Sequence, residues 1–246
     1  MLRLLTIELH KLRYNKSAKV ISIVYFILIT FIALISSIEF NFGAINFRIA
    51  DQGIFNFPYI WHFNSYIAAI LKLFLAIVIV SMTANEYSNK TLKQNLIDGL
   101  SKKEFILSKF ITVVLFSLVS TLFVFGVSLV LGLIFSDYNE PGIIFSDIEY
   151  LFAYFVKLIG FFSFCLFLGI LVKRSAFALG FLLIWSISEG IIYSIFKWKI
   201  FKDTDIAESM IQFFPLTAMS NLIKEPFSRL GAVQTAANQL GEAFDK

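Results

Sequence analysis

Three ionisable residues, Lys72, Lys157 and Glu189, stand inside long apolar runs of this sequence. A charge held in hydrocarbon costs about 3 kcal/mol or more, so such residues face a helical bundle or water and take partners there. A lysine can also thread its stem outward and keep its head at the interface. Lys157, near the start of its run, fits that description, and Lys72 lies somewhat deeper. Glu189 has a short stem and is expected to face the bundle interior and pair with Lys72 or Lys157. Other chemistry is excluded by residue type and spacing. The only two histidines are His10 and His62, so an H-E-x-x-H zinc pair cannot form. No G-x-x-x-x-G-K-[ST] loop is present to cradle a nucleotide's phosphates. The single cysteine, Cys165, allows neither an intrachain disulfide nor a C-x-x-C metal pair, and it reads as a small packing residue. No polar cluster suited to intramembrane hydrolysis occurs. The chain reads as non-enzymatic, with no cofactor and no metal.

The elements that hold these residues follow from composition. Of the 246 residues 58% are hydrophobic, 30 are phenylalanine and only 15% are charged, against about 25% charged in a soluble domain. That much apolar surface calls for a bilayer as solvent. A membrane span needs about 20 apolar residues. Five stretches qualify: Val20–Ile38, Ser65–Ala84, and the runs near 110–135, 151–172 and 177–196. Unpaired backbone is too costly in lipid, so each is expected to be helical. The expected fold is an all-α, polytopic helical bundle of five spans, a single membrane domain over 1–246. Within it, 1–19 reads as an amphipathic interfacial helix, 85–109 as a polar insert, and 197–246 as short outer helices and a tail.

Loop charges assign the sides. Arg3, Lys11, Arg13, Lys16 and Lys19 precede the first span. Lys90, Lys93, Lys102, Lys103 and Lys109 lie between the second and third, and Lys173 and Arg174 between the fourth and fifth. The intervening loop S-D-Y-N-E-P-G-I-I-F-S-D-I-E-Y has no lysine or arginine. The positive-inside rule therefore puts the N-terminus in the cytoplasm. Lys197, Lys199 and Lys202 fit that rule less well. The net charge of +4 resides beside the spans and not in an aromatic-rich groove, which argues against nucleic acid. The aromatic stretch F-N-F-P-Y-I-W-H-F (Phe55–Phe63) reads as an outer interfacial belt. Gly126, Gly132, Gly160 and Gly169 would allow close helix approach, within the chain or to a second copy. After the fifth span, Pro215 and Pro226 break an apolar segment into short helices at the outer surface. The final stretch G-A-V-Q-T-A-A-N-Q-L-G-E-A-F-D-K is soluble in character.

The polar insert N-E-Y-S-N-K-T-L-K-Q-N-L-I-D-G-L-S-K-K-E-F-I-L-S-K-F begins at Asn85. Leu92, Leu96 and Leu100 fall on one helical face, with Lys90, Thr91, Gln94, Asn95 and Asp98 on the other. Glu86 stands four residues before Lys90, a favourable helical spacing. Gly99 is a helix stop, and Ser101-Lys102-Lys103-Glu104 matches an S-x-x-E capping box. The insert thus reads as an amphipathic helix, a break, and a second helix feeding the third span. Leu2, Leu5, Leu9 and Leu12 make a similar stripe at the N-terminus, read either as an interfacial helix or as an extension of the first span.

These segments carry a resemblance. Glu-Leu-His-Lys-Leu-Arg (Glu8–Arg13) before the first span, N-E-Y-x-x-x-T-L-x-x-x-L (Asn85–Leu96) after the second, and S-K-K-E-F-x-x-x-K (Ser101–Lys109) together resemble the permease subunit of a type-2, exporting ABC transporter. The resemblance runs from the N-terminus to about Phe227. It implies a coupling helix in the first cytoplasmic loop, docking on a separate cytoplasmic ATP-binding subunit, and a second permease subunit, identical or not, in the same lipid bilayer. Carried to matching positions, Glu86, Thr91, Ser101 and Lys102 would belong to the ATPase-facing surface. The family pattern has six spans; the missing one would follow the outer helices, and the expectation is a truncated sequence. The alternative reading is a non-transporting helical membrane protein, an assembly or immunity scaffold whose basic loops only hold topology.

Overall fold

A computed structural model of the chain describes residues 2–42, 45–48, 53–202 and 206–229. In chain order its elements are α1 (Leu2–Tyr14), α2 (Lys16–Ser37), β1 (Glu39–Phe42), β2 (Ile45–Arg48), α3 (Tyr59–Ser88), α4 (Thr91–Ile97), α5 (Lys102–Phe135), α6 (Pro141–Ile144), α7 (Glu149–Val172) and α8 (Ser175–Ile195). A π turn (Phe196–Ile200), α9 (Ile206–Ile211), α10 (Pro215–Asn221) and a 3-10 turn (Phe227–Arg229) follow. Among the described residues five helices are long and apolar enough to cross a membrane, built on α2, α3, α5, α7 and α8. The polytopic helical bundle expected from the sequence is the fold observed. The stretch from Gly231 to Lys246 lies outside the described residues.

The breaks between helices have local causes. Asn15 interrupts α1 and α2, and its side-chain oxygen accepts the Ala18 amide at 3.2 Å, the mark of an N-cap. The amphipathic segment and the first span are therefore two helices. Lys90 leaves α3 in the left-handed region at φ 58, and Gly99 closes the α4 turn at φ 95, a conformation that glycine adopts without strain. The capping box then forms in both directions. The Ser101 amide donates to Glu104 Oε2 at 2.9 Å, and the Glu104 amide donates to Ser101 Oγ at 3.2 Å. Two helices outrun the apolar windows that announced them. α3 continues past Ala84 to Ser88, and α5 starts at Lys102 instead of near 110, so polar residues of the insert ride on long, rigid helices.

Hydroxyls within the spans fold back on their own helices. Thr30, Ser36, Thr112, Ser117 and Ser194 each donate to the carbonyl four residues earlier, at 2.9 to 3.0 Å, which satisfies them where no water is at hand. Between α2 and α3 the chain adds a feature that a reading of loop charge alone did not anticipate: β1 and β2 pair antiparallel, with Glu39 opposite Arg48 and Phe42 opposite Ile45.

The chain sorts into two compact units, one drawn from 1–25, 72–119 and 155–222, the other from 26–71, 120–154 and 223–246. The first is centred on Leu75, Ile79, Val113, Leu158 and Phe162, all at most 1% exposed. In the second the aromatic stretch is the core and not an interfacial belt. Phe55, Phe57, Ile60 and Trp61 are buried; Trp61 stacks on Phe125 with ring centroids 5.5 Å apart, and its indole N–H donates to the Ile144 carbonyl at 2.6 Å. The correction has a simple cause: these rings find one another and α5 before they meet an interface, and each buries a large apolar area by doing so. The four glycines noted in the sequence divide accordingly. Gly132 lies directly against the Phe57 ring, Gly160 against Met219, and Gly169 against Val80 and Thr83, while Gly126 faces open space.

Gly132 and Gly126 make a controlled pair. Glycine-to-alanine change in a helix gains up to about 1 kcal/mol in propensity, while overpacking a core costs about 1–3 kcal/mol. Gly132→Ala drives a methyl into a ring that is itself buried, so it lowers the thermal midpoint of the purified protein, whereas Gly126→Ala leaves it unchanged or raises it. Equal midpoints for the two variants would contradict the packing.

Candidate functional site: a buried charge cluster at the polar insert

Lys109 near the start of α5 is fully buried, and its ammonium makes direct ion pairs with Glu8 of α1 and Glu86 of α3. The two carboxylates are 3% and 6% exposed. Lys11, one turn beyond Glu8 on α1, adds a second cation 3.0 Å from Glu86 and 3.4 Å from Glu8. Two carboxylates and two ammoniums balance. Burial alone would depress the Lys11 pKa, but its hydrogen bond to Glu86 and the charges of Glu8 and Glu86 outweigh burial and raise it above the ordinary lysine value. Three helices far apart in sequence thus share one neutral knot of charge. The insert is tied to it as well: Asn95 of α4 donates to Glu86 Oε2 at 3.2 Å, and the Thr91 hydroxyl reaches the Glu86 carbonyl at 3.4 Å. α4 itself buries no residue, and Ile97 is 84% exposed. The arrangement is a presented helix fastened at its base to the ends of two spans and to the N-terminal helix.

The residues singled out from the sequence fall into two groups. Thr91, Ser101 and Lys102 are exposed, as are the neighbouring Lys93 and Lys103. Glu86 is not. It turns inward, and the expected pairing with Lys90 is absent because α3 has ended and Lys90 has left helical geometry. Glu86 therefore belongs to the scaffold behind the surface. Glu8, Lys11 and Lys109 were not singled out, although all three lie within the quoted motifs. One signal was present for Lys109, a lone cation at the start of an apolar run.

The intramembrane candidates are also arranged differently from expectation. Glu189 does not pair with Lys72 or Lys157. Its Oε1 accepts the Trp185 indole N–H at 2.8 Å and the Leu216 amide at 3.1 Å, and its Oε2 accepts the Thr217 amide and hydroxyl, both at 2.9 Å. Lys157 does not reach outward to an interface; at 3% exposure it donates to the Ser220 carbonyl at 3.1 Å. Glu189 thus holds the N-terminal end of α10 and Lys157 the C-terminal end, an anion and a cation each placed at the helix pole that favours it. Simple pairing was expected because sequence does not show where the short helix after Pro215 packs, and its backbone groups supply partners that a side-chain inventory omits. Lys72 lies over the Phe161 ring, 4.4 Å from its centroid.

Among the described residues no group of three or more histidine, cysteine, aspartate or glutamate side chains is placed to hold a metal. Comparison with known proteins gives one finding on kinship. The family model described as ABC-2 family transporter protein matches residues 4–219, a stretch that contains the charge cluster, the insert and most of α10. No curated protein and no solved structure matches the chain.

Removing one partner from a buried ion pair strands the other and costs about 3–5 kcal/mol. Lys109→Met therefore lowers stability strongly in detergent unfolding. Glu8→Gln combined with Lys109→Met costs less than the two separate losses added together, because the pair is removed as a unit. Strict additivity of the two changes would show that Glu8 and Lys109 do not interact.

Proposed function

Because the chain belongs to the ABC-2 family of transporter proteins, we propose that it is the membrane-spanning permease subunit of an ATP-driven exporter. A separate cytoplasmic ATP-binding subunit supplies the energy, and a second permease subunit, the same or different, completes the path through the bilayer. The N-terminus lies in the cytoplasm, on the side of the three basic loops. The ATPase docks on the exposed basic and polar face that includes Thr91, Ser101 and Lys102, with α1 beside it.

One observation carries this reading: an exposed helix, α4, is fastened at its base to a buried charge cluster that also grips α1, α3 and α5. A load on α4 reaches α3 through Glu86, and reaches α5 and α1 through ion pairs to Lys109 and Lys11. Ion pairs out of water resist extension, so the helices respond together. This is the type of rigid-element tilt that opens and closes transport paths. A scaffold that only fixed topology would need the lysines, and would need neither the cap at Ser101 nor the buried knot.

The reading separates docking from transmission, and two variants separate them by experiment. Tagged protein is drawn from its native membranes in mild detergent, and the proteins that accompany it are identified. The wild type brings down an ATP-binding subunit. Lys102→Glu combined with Lys93→Glu, a change confined to exposed residues, loses it. Glu86→Gln keeps the ATPase bound but loses ATP-driven transport, because the surface is intact while the link behind it is weakened. Absence of any ATPase from the intact, correctly inserted wild type would overturn the proposal.

A further inference from the structure

Among the described residues of the first unit, the charges buried at Lys109 and Glu189 are satisfied in two distinct ways, and Lys72 and Lys157 fall outside both. Around Lys109, charges cancel in ion pairs. Glu189 is met by three N–H groups and one hydroxyl. Lys72 and Lys157 have neither kind of answer. Lys157 has one carbonyl acceptor for an ammonium with three N–H donors, and Lys72 has the face of Phe161. Among the described residues no carboxylate lies within ion-pair distance of either. The described acids of this unit are committed elsewhere: Glu8 and Glu86 to the cluster, Glu104 to the cap at Ser101, Glu189 to α10, and Glu208 to Lys197, while Asp98 is exposed on the insert. Lys72 sits over Phe161, one turn from Lys157 on α7, so the two lysines meet the same stretch of that helix. Both belong to candidate spans. Two like charges gathered in apolar surroundings, with no counter-charge among the described residues, are costly unless a ligand provides it.

We propose that Lys72 and Lys157 form a binding site for an anionic group, a phosphate or a carboxylate, carried on an amphiphile. The inference deepens the permease reading, on which it rests, by giving the class of molecule handled. The site has the parts that such a group needs. Two ammoniums on separate helices, α3 and α7, supply charge-assisted hydrogen bonds from two directions. Phe161, one turn beyond Lys157 on α7, offers an apolar wall beside Lys72. Lys72 keeps a minor exposed fraction beside the exposed Leu73, which gives a molecule with an acyl tail an approach from the bilayer side. Glu189 does not compete for the lysines, because four donors already hold it.

The test uses the full chain without its ATPase, in nanodiscs of phosphatidylcholine, titrated with dodecyl phosphate, with dodecyl maltoside as the neutral control. Thermal unfolding reports binding. The wild type is stabilised, saturably, by dodecyl phosphate and not by the maltoside. Lys72→Met weakens the apparent affinity by about tenfold or more, the scale of one hydrogen bond to a charged group, and Lys72→Arg retains it. Lys157→Gln removes the charge while keeping a donor for the Ser220 carbonyl, so loss of binding there is not loss of α10. An equal response of wild type, Lys72→Met and Lys157→Gln, or an equal rise with the maltoside, overturns the proposal. A second arm adds phosphatidylglycerol to the discs. If a membrane headgroup is the natural occupant, the response to dodecyl phosphate shrinks because the site is already filled; an undiminished response assigns the site to a transported anion. Binding that fails while the ATPase still co-purifies sinks the anion site alone. Loss of the ATPase with binding intact removes the permease reading and leaves the site.

Discussion

A charge withdrawn from water must be met by another charge or by a dipole, and much of this protein is organised around that requirement. Lys109 is the sharpest case. Fully buried, it is tolerable only because Glu8 and Glu86 converge on it, and that convergence fixes where α1, α3 and α5 meet. Dispersion and apolar contact would let helices slide with little penalty, since lipid and protein interiors are equally apolar. A knot of four charges has one register. The polar insert draws its geometry from it, because Asn95 reaches the same carboxylate. What looks from outside like a basic loop is the visible end of an internal anchor.

The same requirement is answered elsewhere with backbone in place of side chains. α10 is short, broken on either side, and would be marginal as an isolated helix. Glu189 at one end and Lys157 at the other supply what its termini lack. The two residues that appear as a mismatched acid and base in the sequence are thus joined through the helix between them. This explains how a segment too interrupted to span a bilayer is nonetheless held against residues of two spans.

Much of this was legible in the sequence, for identifiable reasons. Apolar run length announces spans because the bilayer thickness is constant, and five helices answer to the five runs. The capping box at Ser101 and the stop at Gly99 were readable because their causes are local: one reciprocal pair of hydrogen bonds, one left-handed backbone. Misreadings came where the decisive neighbour is remote in sequence. Glu86 was assigned to Lys90, four residues away, when its partners are Lys11 and Lys109. Lys157 was sent outward because nothing in its own run suggests Ser220. The aromatic stretch was read by type, and type does not reveal that Phe125 and Phe135 stand ready to stack against it. The exposure of Thr91, Ser101 and Lys102 follows from their place on a polar insert; the ion pairs behind them join residues too far apart in sequence to be read there.

The separation of Glu8 from Lys109 by 101 positions also dictates an order of events during biogenesis. α1 leaves the ribosome well before α5, and its carboxylate has no cation of α5 to meet until the chain has grown by that separation, roughly 5–20 seconds later at ordinary elongation rates. Until then Glu8 has no Lys109 to pair with. α1 is locked only when two intervening spans and the insert are in place. A helix made before the spans it joins is therefore fixed only after them, and its locking marks the moment at which the platform for the insert is complete.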